Sequence, residues 1–257
     1  MTQPSPIDLS IVVFACDHVP TLNGCVHAAQ RARRLAEEAG FSIQSLMVLH
    51  ENRGRTAEWC RTMLDSSWEV SVGPQADKGA RRNAAFDVAR GTYVAFAEGT
   101  DLWSGNWLLA ALRGVIAEGG IWHPEMLLTY SGDHFTTEGA GVRLLTEKDG
   151  ELESLLSGDA LPTGFLCERE LVRHLPFPHE DRLRGHGQID RWWHCNAALA
   201  GLRHRVMPAT FHYRRRFWSE LIAGEGPDWR GRSRPGPLSW PEEAALPAGH
   251  ASRASTS

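Results

Sequence analysis

Lysine is almost missing from this chain: of its 27 basic residues only Lys78 and Lys148 are lysines, and the rest are arginines. Arginine's planar fork suits bidentate contacts to phosphate. An excess of positive charge is also missing. The formal net charge is −4, which argues against a general nucleic-acid binder. No apolar run approaches the length of a membrane span. Paired cysteine spacing is absent, so Cys16, Cys25, Cys60, Cys167 and Cys195 read as reduced thiols of a reducing compartment. The N-terminus has no basic stretch followed by an apolar run, so no signal peptide is expected. The expected location is cytoplasmic, or at most peripheral to a membrane. There is no internal repeat. His123, His134, His179, His186 and His194 follow no zinc-type spacing, so no zinc site is assigned.

What is present fits one soluble domain. At 257 residues with 42% hydrophobic content, the chain can bury a sizeable core without splitting. Ten tryptophans are many for this length. Core is their default, although aromatic faces also stack on sugar rings. Leu9–Ala15, Ser45–Leu49, Trp68–Val72 and Tyr93–Ala97 are short apolar runs that read as strands. Helical patterns over Val26–Ala39, Thr56–Leu64 and Asn83–Ala89 separate them. This alternation predicts a parallel sheet covered by helices on both faces. A further helix is expected from Trp107 to Glu118, then a strand from Ile121 to Tyr130 whose internal Pro124 marks an edge or a bulge. Ser131–Gly158 reads as loops with a short strand near Val142–Leu145. A short strand or turn over Thr163–Cys167 leads to a helix ending at His174, and Pro176–Gly187 reads as an active-site loop. Ile189, Trp192, Trp193, Ala197 and Ala200 follow helical spacing up to Gly201, and Arg203–Met207 reads as a strand.

The chain is organised around residues 77–107. Asp77-Lys78-Gly79-Ala80-Arg81-Arg82-Asn83 gives a glycine-flanked basic turn, and Gly91 reads as the stop of a short helix. Glu98 and Asp101 follow the strand that comes next. Open α/β sheets bind ligands at the carboxyl ends of their strands, so both carboxylates fall where a ligand belongs. Hard carboxylate oxygens there suit a divalent metal and leave coordination positions for phosphate.

Four motifs in order resemble family 2 glycosyltransferases of the GT-A fold. They are Arg81-Arg82-Asn83 leading to Ala89-Arg90-Gly91, the strand Tyr93-Val94-Ala95-Phe96 running into Glu98-Gly99-Thr100-Asp101, Ile189-Asp190 opening a helix that ends in Ala200-Gly201, and His212-Tyr213-Arg214. The acidic motif departs from the family's Asp-x-Asp, keeping only Asp101. The resemblance spans roughly Leu9 to Arg216. It implies a GT-A (Rossmann-like), mostly parallel α/β sheet with helices on both faces in a single domain. Residues 1–8 would be a flexible lead, 9–120 the nucleotide-sugar-binding half, 121–222 the acceptor half, and 223–257 a Gly/Pro-rich tail. It implies transfer of a sugar from a nucleotide-diphosphate sugar to a carbohydrate or other hydroxyl-bearing acceptor, by direct displacement with inversion. Asp190 would be the general base. Ala15, Asp17, His50, Glu51, Lys78, Arg82, Asn83, Glu98 and Arg214 would meet the donor. Asp101, Glu98 and His212 would hold Mn²⁺ or Mg²⁺. Two other readings stand beside it: a GT-A nucleotide-binding protein whose altered acidic motif has lost catalysis, and a sugar nucleotidyltransferase. The second lacks its usual Gly-rich loop, since Cys16-Asp17-His18-Val19-Pro20 follows the first strand.

Overall fold

The structure, a computed structural model, describes residues 6–15, 19–50, 54–73, 77–131, 141–157, 161–179 and 189–216. Asp17, Glu51, His134, His186 and the 223–257 tail lie outside these residues, as does most of the 176–187 loop; His50 is described only as strand backbone.

Apolar residues at every position of β1 (Leu9–Phe14) except Ser10 suit a strand with helices on both sides. Leu9, Ile11 and Val13 enter one core and Val12 the opposite one, following the two-residue alternation of a strand. β1 pairs in parallel with β2 (Ile43–His50), and β2 with β3 (Trp68–Gly73). On its other side β1 pairs with β4 (Tyr93–Glu98), with Phe14 opposite Glu98. The connecting helices are α1 (Val19–Glu38), α2 (Gly54–Met63) and α3 (Lys78–Val88). α1 buries Leu22, Cys25, Val26, Ala29, Ala32 and Ala36 along one stripe. α4 (Trp107–Glu118) adds Trp107, Leu108, Ala111, Leu112 and Val115 to the same core. Fully burying a large apolar side chain is worth about 1.5–3 kcal/mol, so these two stripes anchor one face of the sheet.

Beyond β4 the sheet becomes mixed. β8 (Leu166–Glu168) runs antiparallel to β4 and touches β6 (Ile121–Ser131). β6 pairs in parallel with β9 (His204–Arg216) and antiparallel with β7 (Gly141–Leu144). β5 (Leu102–Trp103) closes the order β3-β2-β1-β4-β8-β6-β9-β5. Pro124 marks a bulge and not an edge: β6 has partners on both sides, and its register with β9 shifts between Pro124 and Met126. The strand expected at 203–207 and the segment 211–216 belong to one continuous strand that begins at His204. α5 (Leu152–Ser157), α6 (Arg169–His174) and α7 (Ile189–Leu199) complete the helices among the described residues. α3, α6 and α7 cover the second face, where Ala85, Phe86, Val172, Trp193 and Ala197 pack on Val12, Leu46 and Phe96.

Several expectations are corrected. The first helix begins at Val19, not Val26, with Pro20 in its first turn, where the missing N–H costs nothing. Ser131–Gly158 contains α5 and a 3-10 turn at Glu147–Gly150. Lys78 to Arg82 lie on a helix and not in a turn. Asp77 caps it, its side chain accepting from the Ala80 N–H at 3.0 Å. Gly91 does not stop α3, which ends at Val88. Its role is close approach: a Cβ there would sit 2.4 Å from the Ser10 backbone nitrogen. The described cysteines, Cys25, Cys60, Cys167 and Cys195, are buried and form no disulfide. Burial pushes the Cys60 thiol up to about 11, so it behaves as core. No helix among the described residues is long and apolar enough to cross a membrane.

The core also encloses His123, His194 and His204, none more than 5% exposed. Burial holds all three rings neutral, with His204 brought down to about 4.

Candidate active site

A cleft opens where β1, β2 and β4 end, lined by Phe14, Ala15, Val48, Leu49, Lys78, Arg81, Arg82 and Glu98. Each strand delivers its last residues to one rim, as parallel pairing requires. Lys78 and Arg82 stand one turn apart on α3 and therefore point the same way.

These two cations hold two carboxylates. Arg82 Nη2 donates to Glu98 Oε1 at 2.7 Å, and Lys78 Nζ lies 3.2 Å from the same oxygen. Asp190, in the first turn of α7, receives Lys78 Nζ at 3.3 Å on Oδ2 and Arg82 Nη1 on Oδ1. The four charges balance. Burial pushes the Glu98 carboxyl up, but Lys78 and Arg82 outweigh it and hold it at about 2. Burial pulls the Lys78 ammonium below its ordinary value; Glu98 offsets this, while Arg82 and Arg214 add repulsion. The Arg82 guanidinium is 1% exposed and sits over the rings of Phe177, Phe14 and Phe96 at 5.0–5.9 Å. Its planar charge is thus fixed by aromatic faces as well as by carboxylates.

Asp101 stands apart from this group. The turn after β4, closed by the Asp101 N–H to Glu98 carbonyl bond at 2.9 Å, turns its side chain toward β9. There Asp101 Oδ2 lies 3.0 Å from His212 Nε2, with both side chains almost wholly buried. The pairing of Trp103 with His212 sets this meeting. Asp101 Oδ2 and His212 Nε2 offer a carboxylate oxygen and an imidazole nitrogen side by side, donor types that a divalent ion takes. Glu98 is turned to Lys78 and Arg82 and forms no three-ligand cluster with that pair.

Of the other expected donor residues, Ala15 lines the cleft and Arg214 is exposed on β9. Asn83 commits its amide to the backbone of Phe177, donating to the carbonyl at 3.0 Å and accepting the N–H at 2.8 Å. It thereby fixes the ring that covers Arg82. Arg81, one of the arginines expected to meet phosphate, lines the cleft, whereas Phe14, Val48, Leu49 and Phe177 were not named for the site. The apolar ends of β1 and β2 were the signal for the first three, since a strand delivers its last residues to the ligand edge. For Phe177 the signal was its place in the 176–187 loop, although nothing singled out that residue.

No protein-family model matches the sequence, and no curated protein matches it. Solved structures do. S. aureus TarS 1-349 in complex with UDP-GlcNAc aligns at a TM-score of 0.62 and 15% identity, over 88% of this chain and 64% of that one. The complex of the same piece with UDP aligns at 0.60 and 16%, over 84% and 63%. Another structure of TarS 1-349 gives 0.59 and 16%, over 81% and 60%. This chain therefore spans less than two thirds of the TarS pieces it matches. Identity this low speaks for architecture alone, and that architecture is a single-domain GT-A fold with a curled, mostly parallel sheet.

Proposed function

We infer that the chain is a glycosyltransferase that takes a sugar from a nucleotide-diphosphate donor to an acceptor hydroxyl, with inversion. The carrying observation is the balanced cluster of Lys78, Arg82, Glu98 and Asp190 at the strand-end cleft. The similar fold of TarS, solved with UDP-GlcNAc and with UDP, supports a nucleotide-sugar donor. Residues 9–120 form the donor half and 121–222 the acceptor half.

The nucleoside lies against Ala15, Val48 and Leu49, and its diphosphate reaches Lys78 and Arg82. Phosphate oxygens compete for those cations with Glu98 and Asp190, and Arg81 and Arg214 add positive charge nearby. As the cations turn to the leaving group, Asp190 is released to accept the proton of the acceptor hydroxyl. The hydroxyl oxygen bonds to the anomeric carbon while the bond to the diphosphate oxygen breaks. Holding both partners on rigid elements turns an encounter of two molecules into one oriented event. Asp101 and His212 are the side chains that would hold a divalent ion, which when bound would supply further positive charge to the diphosphate.

Calorimetry with UDP, other nucleoside diphosphates and the matching nucleosides, followed by an assay of diphosphate release from nucleotide sugars, tests this. The expected result is binding that depends on the diphosphate and turnover stimulated by a hydroxyl acceptor. Binding without turnover for every donor would favour the catalytically impaired reading. Absence of diphosphate binding would overturn both.

A further inference from the structure

Three elements each bring one histidine to the same point in the core. His123 comes from β6, His194 from α7 and His204 from the start of β9. Their ring centroids form a near-equilateral triangle, 5.2 Å from His123 to His194, 5.2 Å from His123 to His204 and 5.0 Å from His194 to His204. One nitrogen of each ring lies within 4.8 Å of one nitrogen of the other two, and this is the only such three-ligand group among the described residues. His123 Nε2 and His204 Nδ1 are already 3.0 Å apart. A tetrahedral zinc–imidazole site, with bonds of about 2.0–2.1 Å, sets its nitrogens about 3.3 Å apart, so small ring movements suffice.

We propose that His123, His194 and His204 form a buried transition-metal site, suited to Zn²⁺, that pins α7 to β6 and β9.

Two further observations point to a ligand. Neither ring nitrogen of His194 has a hydrogen-bond partner among the described residues, although the side chain is fully buried. An imidazole so placed leaves a lone pair with no donor, and a metal ion is the acceptor of such a pair. His204 shows the outer support expected of a ligating ring, because its Nε2 lies 3.3 Å from the His194 carbonyl oxygen. An Nε2–H donated there leaves Nδ1 unprotonated and facing His123. Three imidazole nitrogens select zinc and its transition-metal neighbours over Mg²⁺, whereas the Asp101–His212 pair sets a carboxylate oxygen beside one imidazole.

The surroundings are closed. Phe165 and Trp193 pack on His194 with ring centroids 5.4 and 5.2 Å away. Gly150 meets the His204 side chain so tightly that a Cβ there would fall 2.1 Å from His204 Cβ. No fourth protein ligand joins among the described residues, which leaves that position to water or hydroxide. The packed rings keep substrate away from the ion, so its role is to hold α7 against β6 and β9. His194 lies one turn after Asp190 on the same face of α7, so the metal also fixes the helix that carries Asp190.

The test uses untagged full-length protein, stripped with chelator and returned to Zn²⁺. Elemental analysis should find about one zinc per chain surviving gel filtration, and added zinc should raise the melting temperature of the stripped protein. Asp101→Asn should keep that zinc, whereas His194→Ala should lower its affinity by roughly tenfold or more. Stripped protein that neither binds zinc nor gains thermal stability overturns the proposal. So does zinc retained undiminished in His194→Ala. Should that variant fail to fold, X-ray absorption at the zinc edge of the unsubstituted protein decides: three imidazole ligands support the site, and any other set overturns it.

Discussion

Lys78 and Asp190 are 112 residues apart in sequence and 3.3 Å apart in the fold. Their contact joins α3 to α7 across the cleft, and Arg82 makes the same crossing. Both proposed halves of the site are therefore held together by charge before any ligand arrives. A donor that draws the cations to its phosphates must loosen this join.

Asp190→Asn keeps the size of the side chain and its ability to accept hydrogen bonds, but not its charge. Glu98 still neutralises part of Lys78 and Arg82, so the expected stability loss is modest, about 1–3 kcal/mol. Donor binding should persist, while transfer should fall by roughly two to four orders of magnitude. Melting temperature and turnover measured on one preparation check this, and transfer within a few-fold of the parent would remove Asp190 as the base.

Arg82→Met leaves Glu98 and Asp190 with Lys78 alone. Breaking a buried ion pair from one side costs about 3–5 kcal/mol, and this change should fall in that range. Arg82→Lys should not restore it, because an ammonium cannot reach both carboxylates while lying flat among Phe14, Phe96 and Phe177. Denaturant unfolding of the three proteins gives the comparison. Equal stability of Arg82→Lys and the parent would show that the aromatic setting contributes nothing.

Asp101→Asn separates the metal from the cations. With Asp101 and His212 as ligands, the gain in nucleoside-diphosphate affinity on adding Mn²⁺ should vanish, while affinity in chelator stays near that of the parent. Calorimetry with and without Mn²⁺ reads both. An unchanged Mn²⁺ response would take the metal away from Asp101.

Glu98 sets a pH dependence whose sign follows from its shift. Its folded-state pKa of about 2 lies below the ordinary 4.5. The stabilisation is therefore fully present above 4.5 and is lost as pH falls through 2. At 1.36 kcal/mol per unit it amounts to about 3 kcal/mol. Glu98→Gln should be less stable than the parent at neutral pH, and the gap should close on acidification through that window. Urea midpoints across the range test it; a constant gap would mean that Glu98 is not held by its charge.

The central fold was readable because its strands are apolar on both faces, and Leu9–Phe14 and Tyr93–Glu98 need no partner to be recognised. Glu98 and Asp101 were readable for a related reason, being acids placed directly after such a strand. The first turns of α1 were hidden by Asn23 and Gly24, both poor helix formers. Packing overrides that preference: a Cβ on Gly24 would lie 3.3 Å from Leu102 Cδ2, so the helix needs a small residue there. α5 is too short to show a period. The Arg82–Asp190 pair and the histidine triangle arise from topology, which joins distant segments without leaving a spacing to count. Asp190 illustrates the limit. Its place at a helix start was legible, and its two cationic partners were not.

The ladder between β6 and β9 spans ten residue pairs, from Ile121 with His204 to Ser131 with Arg216. Its two strands are made far apart in time as the chain leaves the ribosome. Until β9 has been synthesised, one long edge of β6 has backbone groups without their final partners, and Asp101 has no His212 to meet. Such an edge is a template for pairing with another chain. The completion of β9 is thus the event that both seals the sheet against wrong partners and assembles the buried acid–imidazole pair.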